Sequence, residues 1–444
     1  MPKKIEKIHK VKKIFQSPKG TFDILPLDQI YWDFVKKIAR EFADFYRFEK
    51  LDTPILEEQD LFLATLGKAT DVVEKQMYSF KTKGGDSLVM RPEGTASIIR
   101  AYLSNGMMNL PHPIKIFYEG PMFRYEKPQA NRFRQFHQFG FENIGETSAV
   151  ADAQIINLLY IIFGKLKIKP MTISINSVGC PECRPFYKSK LLAYYKTVYR
   201  DLCKDCKRRY YVNPLRLLDC KEENCKALKE SAPHLMDQLC PNCHGHFKSL
   251  LEFLDELALP YILNPYLVRG LDYYTKTVFE IYFEEQGDDG VGSSDALAGG
   301  GRYDNLVEML GGRPTPAVGA SVGFERVINI LKKINVKLPN IAAPQVFIVQ
   351  LGDLARKKSV RLFEDLRNSG IRVAESFGRD SIKSQLHYAD KLEAAISLIL
   401  GQKEVMDETV ILREMETGLQ EIVPMDKIIL IIKKRLQKLK KHKV

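Results

Sequence analysis

All eight cysteines of this 444-residue chain fall between Cys180 and Cys243, in four close pairs: Cys180/Cys183, Cys203/Cys206, Cys220/Cys225 and Cys240/Cys243. Three Cys-x2-Cys steps and one Cys-x4-Cys step are zinc-knuckle spacings, because thiolates this near in sequence bind one tetrahedral ion from a tight turn. Two four-thiolate sites fit the count, and the spacing leaves open which pairs share an ion. Disulfides would need an oxidising compartment. The first residues, MPKKIEKIHKVKKIF, contain no apolar h-region, so a cytoplasmic, reducing setting is expected. The expectation is closed, structural zinc, with unmetallated buried thiols as the alternative.

Elsewhere the chain has the 45% hydrophobic content of a globular protein and a length that suits two or three domains. No apolar run approaches the roughly 18 residues of a membrane span. Residues 1–13 carry six lysines against Glu6, and residues 433–443 carry six lysines and Arg435, so these two basic tails account for the whole formal charge of +12. Such runs are usually solvated; a sequence-independent hold on a polyanion is the functional reading.

A second feature lies upstream, in Pro121–Glu142 (PMFRYEKPQANRFRQFHQFGFE). Two extended runs flank a break at Lys127–Asn131, which predicts a long-looped antiparallel hairpin carrying arginines on both sides. Alternation on the returning strand puts Arg134, Phe136, Gln138, Gly140 and Glu142 on one face. Gln138 and Glu142 then sit roughly 13 Å apart along the backbone, a span that suits the two ends of a small polar molecule.

Taken in order, residues 30–48 show apolar residues at helical spacing. They run into a strand-like segment whose Pro54 belongs at an edge or at a dimer seam. Strand 87–90 ends in Pro92, Glu93, Gly94 and Thr95; Glu93 and Thr95 can bind an ammonium group, or Thr95 can simply cap the following helix. Beyond the cysteines, Leu267–Thr275 (LVRGLDYYT) bears Arg269, a planar fork for phosphate or carboxylate, and Tyr274, a neutral hydroxyl. After a Gly- and Asp-rich loop at 287–295, Leu297–Asp304 (LAGGGRYD) has three consecutive glycines, which predicts something lying against bare backbone. Val318–Arg326 reads as a Gly-broken strand turning into a helix. Arg326 there opposes the helix dipole and is held either by an anionic ligand or by Glu325 or another surface carboxylate. The chain has no G-x4-G-K-[ST] loop and no strand-linked GxGxxG, so any nucleotide phosphate must be held by arginines. Residues 331–343 read as a linker, and the strand–helix alternation that follows predicts a small α/β domain with a parallel sheet.

These stretches together closely resemble histidyl-tRNA synthetase of the bacterial type, a class II aminoacyl-tRNA synthetase, over about Ser17–Lys434. FRYEKPQANRFRQFHQFGFE is similar to class II motif 2, GASVGFERV to motif 3, and TPILE with the preceding helix to motif 1. LVRGLDYYT and AGGGRYD resemble the two stretches peculiar to the histidine enzymes. The resemblance implies an α+β catalytic domain built on an antiparallel sheet (14–176 and 261–334), an inserted helical, Cys-rich domain (177–260), and a C-terminal α/β anticodon-binding domain (344–432) after a linker at 335–343. It implies a homodimer that uses ATP, Mg²⁺, L-histidine and histidine tRNA, with no membrane association. Glu93, Thr95 and Gln138 would hold the amino end of histidine and Glu142 and Tyr274 the imidazole nitrogens, with Gly94 and Tyr273 also at the histidine site. Arg124, Arg132 and Arg326 would hold ATP, with Arg124 on the α-phosphate and Arg269 between that phosphate and the histidine carboxylate. Many members of the family lack most of these cysteines, so metal binding rests on spacing alone. A synthetase-like regulatory subunit of ATP phosphoribosyltransferase, which senses histidine without making an adenylate, is the rival reading. Arg124, Arg269, Arg326 and the C-terminal domain oppose it.

Overall fold

The runs on either side of Lys127–Asn131 form the expected hairpin, strands Ile114–Phe123 and Gln135–Ile144 pairing antiparallel along their full length. They are the second and third strands of an eight-stranded sheet. Its order is Glu49–Lys50, Ile114–Phe123, Gln135–Ile144, Ala317–Gly323, Ala296–Arg302, Thr275–Phe283, Met171–Ser177 and Tyr261–Leu263. All neighbours are antiparallel except the pair at each edge. The computed structural model describes residues 14–67, 70, 72–129, 131–284, 296–338, 343–378 and 381–442, without the side chains of 439–442. The basic run 1–13 and the loop 287–295 lie outside these residues.

Alternation along Gln135–Ile144 decides what each face of the sheet does. Phe139 and Phe141 are fully buried in the larger core, with Trp32, Val35 and Phe324. That core is closed by helices Pro26–Phe45, Ala149–Lys165 and Phe324–Lys333, each apolar toward the sheet. The opposite face belongs to a second cluster containing Tyr118, Tyr273, Tyr274 and Tyr303. This aromatic, hydroxyl-bearing side is where the candidate site lies. Pro54 falls in the connection between strand Glu49–Lys50 and strand Leu56–Glu58 of a separate three-stranded sheet, so it interrupts no ladder.

Strands Met171–Ser177 and Tyr261–Leu263 are parallel neighbours, and parallel strands need a crossover connection. Here the crossover is the whole cysteine-bearing segment, with helices Cys183–Thr197, Lys204–Val212, Glu223–Lys229 and Pro241–Glu256.

The chain divides into two units, Met1–Leu338 and Pro339–Val444. The second has a five-stranded sheet in the order Val373–Glu375, Val346–Gln350, Ile396–Leu400, Thr409–Glu414, Gln420–Pro424. The first three strands, those read from the sequence, are parallel as expected; the last two, not foreseen, add an antiparallel hairpin that makes the sheet mixed. The connection Met415–Leu419 turns through Gly418 at φ +73° and is too short for a crossover. The C-terminal basic run from residue 433 is not set apart from this unit. It continues helix Ile428–His442, on which Ile432 and Leu436 pack inward and Arg435 pairs with Glu414 and Glu421.

Candidate active site

Glu142 is fully buried on the hydroxyl-bearing face of the sheet. Thr95 Oγ1 donates to its Oε1 at 2.8 Å, and the Tyr303 hydroxyl donates to its Oε2. Burial pushes the Glu142 carboxyl up to about 8; the two hydroxyl donors oppose this and the nearby Glu93 adds to it. Gly319, paired with Glu142 in the adjacent strand, has no room for a side chain, since a Cβ there would sit 1.5 Å from Glu142 Oε2. The ring of Tyr118 occupies the space that a Cβ would fill at Gly94 and at Gly140, 2.3 and 2.4 Å away. Burial also raises the pKa of Tyr118, Tyr273 and Tyr303 well above the usual phenol range, with Glu142 or Glu93 reinforcing it, so they remain neutral donors.

The Glu93 carboxylate caps helix Thr95–Ser104 through both oxygens, so the alternative of capping by Thr95 does not hold. Its Oε2 accepts from the Thr95 N–H at 2.7 Å and its Oε1 from the Ala96 N–H at 2.8 Å. This frees the Thr95 hydroxyl for Glu142. Burial raises the Glu93 pKa against the pull of those two N–H groups and of Arg124. The side-chain amide oxygen of Gln138, Oε1, is buried and has no hydrogen-bond partner among the described residues, leaving an acceptor for a ligand donor.

Arg124 and Arg269 approach the same space from two sides. Arg124 Nε donates to the Pro92 carbonyl at 2.9 Å, and its guanidinium lies 5.3 Å from the centre of the Phe136 ring. Arg269 is paired with Glu280 and lies 5.8 Å from the Tyr274 ring centre. The triple glycine now has a physical reason: a Cβ on Gly299 would meet Arg269 Nη1 at 2.2 Å, and one on Gly301 would meet the Tyr274 ring at 2.9 Å. What lies against the bare backbone is Arg269 at Gly299, the neighbouring strand at Gly300, and the Thr277 carbonyl and Tyr274 ring at Gly301. Arg132, on the hairpin loop, is 3.8 Å from Glu126. Arg326 donates to the Ala296 carbonyl, and Glu325 is not its partner. Glu325 instead accepts from the His137 backbone N–H, at 2.9 and 3.0 Å, and meets His137 Nδ1 at 2.9 Å.

Glu93, Thr95, Arg124, Arg132, Gln138, Arg269, Tyr273, Tyr274 and Arg326 thus share one cavity of about 920 Å³, with Glu142 buried behind Thr95. Tyr118, Tyr303 and Glu280 are the members that reading the sequence missed. The carboxylate now predicts a pH effect. Unfolded, Glu142 releases its proton near 4.5, whereas folded it keeps it to about 8. The native state therefore binds more protons in between, and this group's contribution to stability falls as pH rises through that window. Thermal denaturation of the ligand-free protein at about pH 5.5 and about pH 8 should show a smaller loss for Glu142→Gln than for the parent. Equal losses would contradict the assignment.

The cysteines form two clusters, each with its four sulfur atoms mutually within 4.8 Å: Cys180, Cys183, Cys240 and Cys243, and Cys203, Cys206, Cys220 and Cys225. The pairing is nested, outer pair with outer and inner with inner. Sulfur separations of 3.7 Å for Cys180–Cys183 and 3.8 Å for Cys180–Cys240 and Cys203–Cys220 are far beyond a disulfide bond. They match the roughly 3.8 Å edge of a tetrahedron with metal–sulfur bonds of about 2.3 Å. Backbone N–H groups of Cys240, Cys203 and Cys206 point at sulfurs of their own cluster, as suits thiolates.

A largely antiparallel sheet with paired arginines over a long hairpin, and a strand that turns into a helix at Ala317–Lys333, defines the catalytic unit of a class II aminoacyl-tRNA synthetase. Residues 20–182 and 203–327 match the family profile of histidyl-tRNA synthetase, and residues 345–435 match an anticodon-binding domain. A histidine–tRNA ligase of Dehalococcoides mccartyi is 45% identical over 95% of this chain and 100% of its own length, and one of Desulforamulus reducens is 41% identical over 94% and 99%. The crystal structure of apo Staphylococcus aureus histidyl-tRNA synthetase superposes with a TM-score of 0.79 at 33% identity, covering 95% of this chain and all of that one. The chain belongs to the histidyl-tRNA synthetase family.

Proposed function

We propose that this chain activates L-histidine with ATP and transfers it to the 3′ end of histidine tRNA. The observation that carries this reading is the buried Glu142, which is held by Thr95 and Tyr303 behind a cavity that Arg124 and Arg269 also reach. In our reading Glu142 and Tyr274 recognise the two imidazole nitrogens, a donor–acceptor pair that other amino acids lack. Glu93, Gly94, Thr95, Gln138 and Tyr273 surround the amino group, and the unpartnered Gln138 oxygen is a ready acceptor for the ammonium. Arg124 binds the α-phosphate, Arg132 and Arg326 the rest of ATP, and Arg269 lies between that phosphate and the histidine carboxylate. As the carboxylate attacks and pyrophosphate leaves, these fixed guanidinium groups neutralise charge gathering on phosphoryl oxygens.

Magnesium, which the family implies, suits a cavity lined by the oxygen donors Glu126, Glu280 and Glu325; once bound, it shields phosphate charge. We further assign one structural zinc ion to each four-thiolate cluster, a cytoplasmic setting, and a homodimer joined through the Pro26–Phe45 helix and the segment after it. Phe45, at the end of that helix, is 79% exposed in the single chain. Residues 177–260 serve as an inserted domain.

Among the described residues no helix is long and apolar enough to cross a membrane. The arginine set and the anticodon-binding match at 345–435 favour the enzyme over a histidine-sensing regulatory subunit. Histidine-dependent ATP–pyrophosphate exchange by the purified chain is the expected result. Histidine binding without exchange, in folded protein, would favour the regulatory reading instead.

A further inference from the structure

The two cysteine clusters differ in what surrounds them. At the outer one, helix Cys183–Thr197 also buries Tyr187, Leu191 and Tyr195, and helix Pro241–Glu256 also buries Phe247, Leu250 and Leu254. These residues recur every three or four positions, so both helices dock by apolar faces whether or not a metal is bound. At the inner cluster, helix Lys204–Val212 buries only Cys206, and helix Glu223–Lys229 buries only Cys225. Helices of nine and seven residues with no apolar face do not hold by themselves in water. Besides sulfur, they are held by the partly buried Tyr210, whose hydroxyl donates to the Leu192 carbonyl at 3.3 Å, and by Leu228, whose carbonyl accepts from the Tyr194 hydroxyl at 2.5 Å.

The segment between the inner ligands, which buries Leu217 and Leu218 beside the cluster, reaches the reaction centre. Asn213 Nδ2 donates to both carboxylate oxygens of Asp272 at 3.0 Å, and Arg216 Nη1 donates to the carbonyl of Arg269 at 3.4 Å. Arg216 is 8% exposed and also fills the space beside Gly270, where a Cβ would meet its Nη1 at 3.2 Å. Residues 269–272 are thus gripped at both ends by the stretch between Cys206 and Cys220. Cys203 and Cys220 themselves line the cavity that holds Arg124, Gln138 and Arg269.

We propose that the inner site, Cys203, Cys206, Cys220 and Cys225 with zinc, is a positioning element of the active site: it fixes Asn213 and Arg216, which hold the Arg269–Asp272 loop and so aim the Arg269 guanidinium. The outer site closes the neck of the crossover segment; Arg184, beside Cys183, donates to the Tyr274 carbonyl, but its helix is also docked by Tyr187, Leu191 and Tyr195 and so does not depend on the metal for that contact. This rests on the zinc assignment and on the adenylate-forming role of Arg269. It makes catalysis sensitive to loss of one particular metal ion, and hence to oxidants or chelators that attack the inner thiolates.

The test compares four full-length proteins by metal content and by exchange kinetics, with kcat and the KM values for ATP and histidine measured separately. The parent should carry two zinc ions per chain, one for each cluster. Cys206→Ser with Cys225→Ser should carry one, with kcat for exchange lowered roughly tenfold to a hundredfold and the histidine KM little changed, as for a displaced catalytic group. Cys180→Ser with Cys240→Ser should also carry one, with exchange within about twofold of the parent. Asn213→Ala leaves every thiolate in place, so it should keep both ions and lower kcat in the same direction; it carries the test if the inner double variant does not fold. An inner variant with one ion and parental exchange, or Asn213→Ala with parental exchange, would overturn the coupling and leave the zinc assignment standing. A parent that exchanges fully with no metal bound would overturn both.

Discussion

Arg269→His should slow histidyl-adenylate formation by about a hundredfold or more, roughly 3 kcal/mol of transition-state stabilisation, while histidine still binds nearly as well. A guanidinium held between a carboxylate nucleophile and the phosphate it attacks matters most when charge is moving between them. Imidazole is shorter and mostly neutral near pH 7, and it lacks the forked donors. The surroundings of Arg269 allow a second variant that removes no functional group. A methyl at Gly299 would overlap Arg269 Nη1 at 2.2 Å, and the guanidinium is the mobile partner in that contact. Gly299→Ala should therefore reproduce the slow adenylation with little change in thermal stability. Single-turnover kinetics beside histidine titration separates the outcomes; a defect confined to histidine affinity would refute the role.

Glu142→Gln is expected to act in the opposite way, weakening histidine binding by roughly tenfold to a hundredfold, the scale of a lost charge-assisted hydrogen bond. At saturating histidine the chemical step should be much less affected. Thr95 and Tyr303 both donate to Glu142, so a glutamine amide nitrogen on either side forces a hydroxyl to turn away. Meanwhile the group that can be acid or carboxylate near pH 7 is gone. Isothermal titration with histidine measures the loss directly. Unchanged affinity together with slow chemistry would move Glu142 from recognition to catalysis.

How much of this was legible in the chain depends on how local each feature is. The hairpin stood out because two strand-forming runs flank a single break, and Glu142 stood out as a carboxylate out of place on a strand face. Tyr303 and Tyr118 did not. Tyr303 comes to Glu142 because strand Ala296–Arg302 pairs with Ala317–Gly323, which pairs in turn with Gln135–Ile144. Those contacts span most of the catalytic unit in sequence, and no local periodicity encodes them. Glycines 94, 140 and 319 resemble turn or flexibility signals when read singly; in the structure each vacates space for a site side chain. A tyrosine or glutamate whose ring or carboxylate needs such vacancies is found only in three dimensions. Arg326 and Glu325 are neighbours in sequence, which makes their pairing one of two open readings, yet a helix start aims adjacent residues apart, and Glu325 meets His137. The cysteine pairs were evident from spacing, whereas their nesting was not, since it depends on which chain crossings close in space. The C-terminal sheet was read as parallel because the strand–helix alternation ended at residue 400, before the hairpin that makes it mixed.

Charging of a histidine tRNA transcript tests the central claim most directly. With ATP, Mg²⁺ and L-histidine, the purified chain should form histidyl-tRNA with the amino acid esterified at the 3′ end, and the other standard amino acids should not replace histidine. A folded, histidine-binding protein that charges no tRNA would contradict the account.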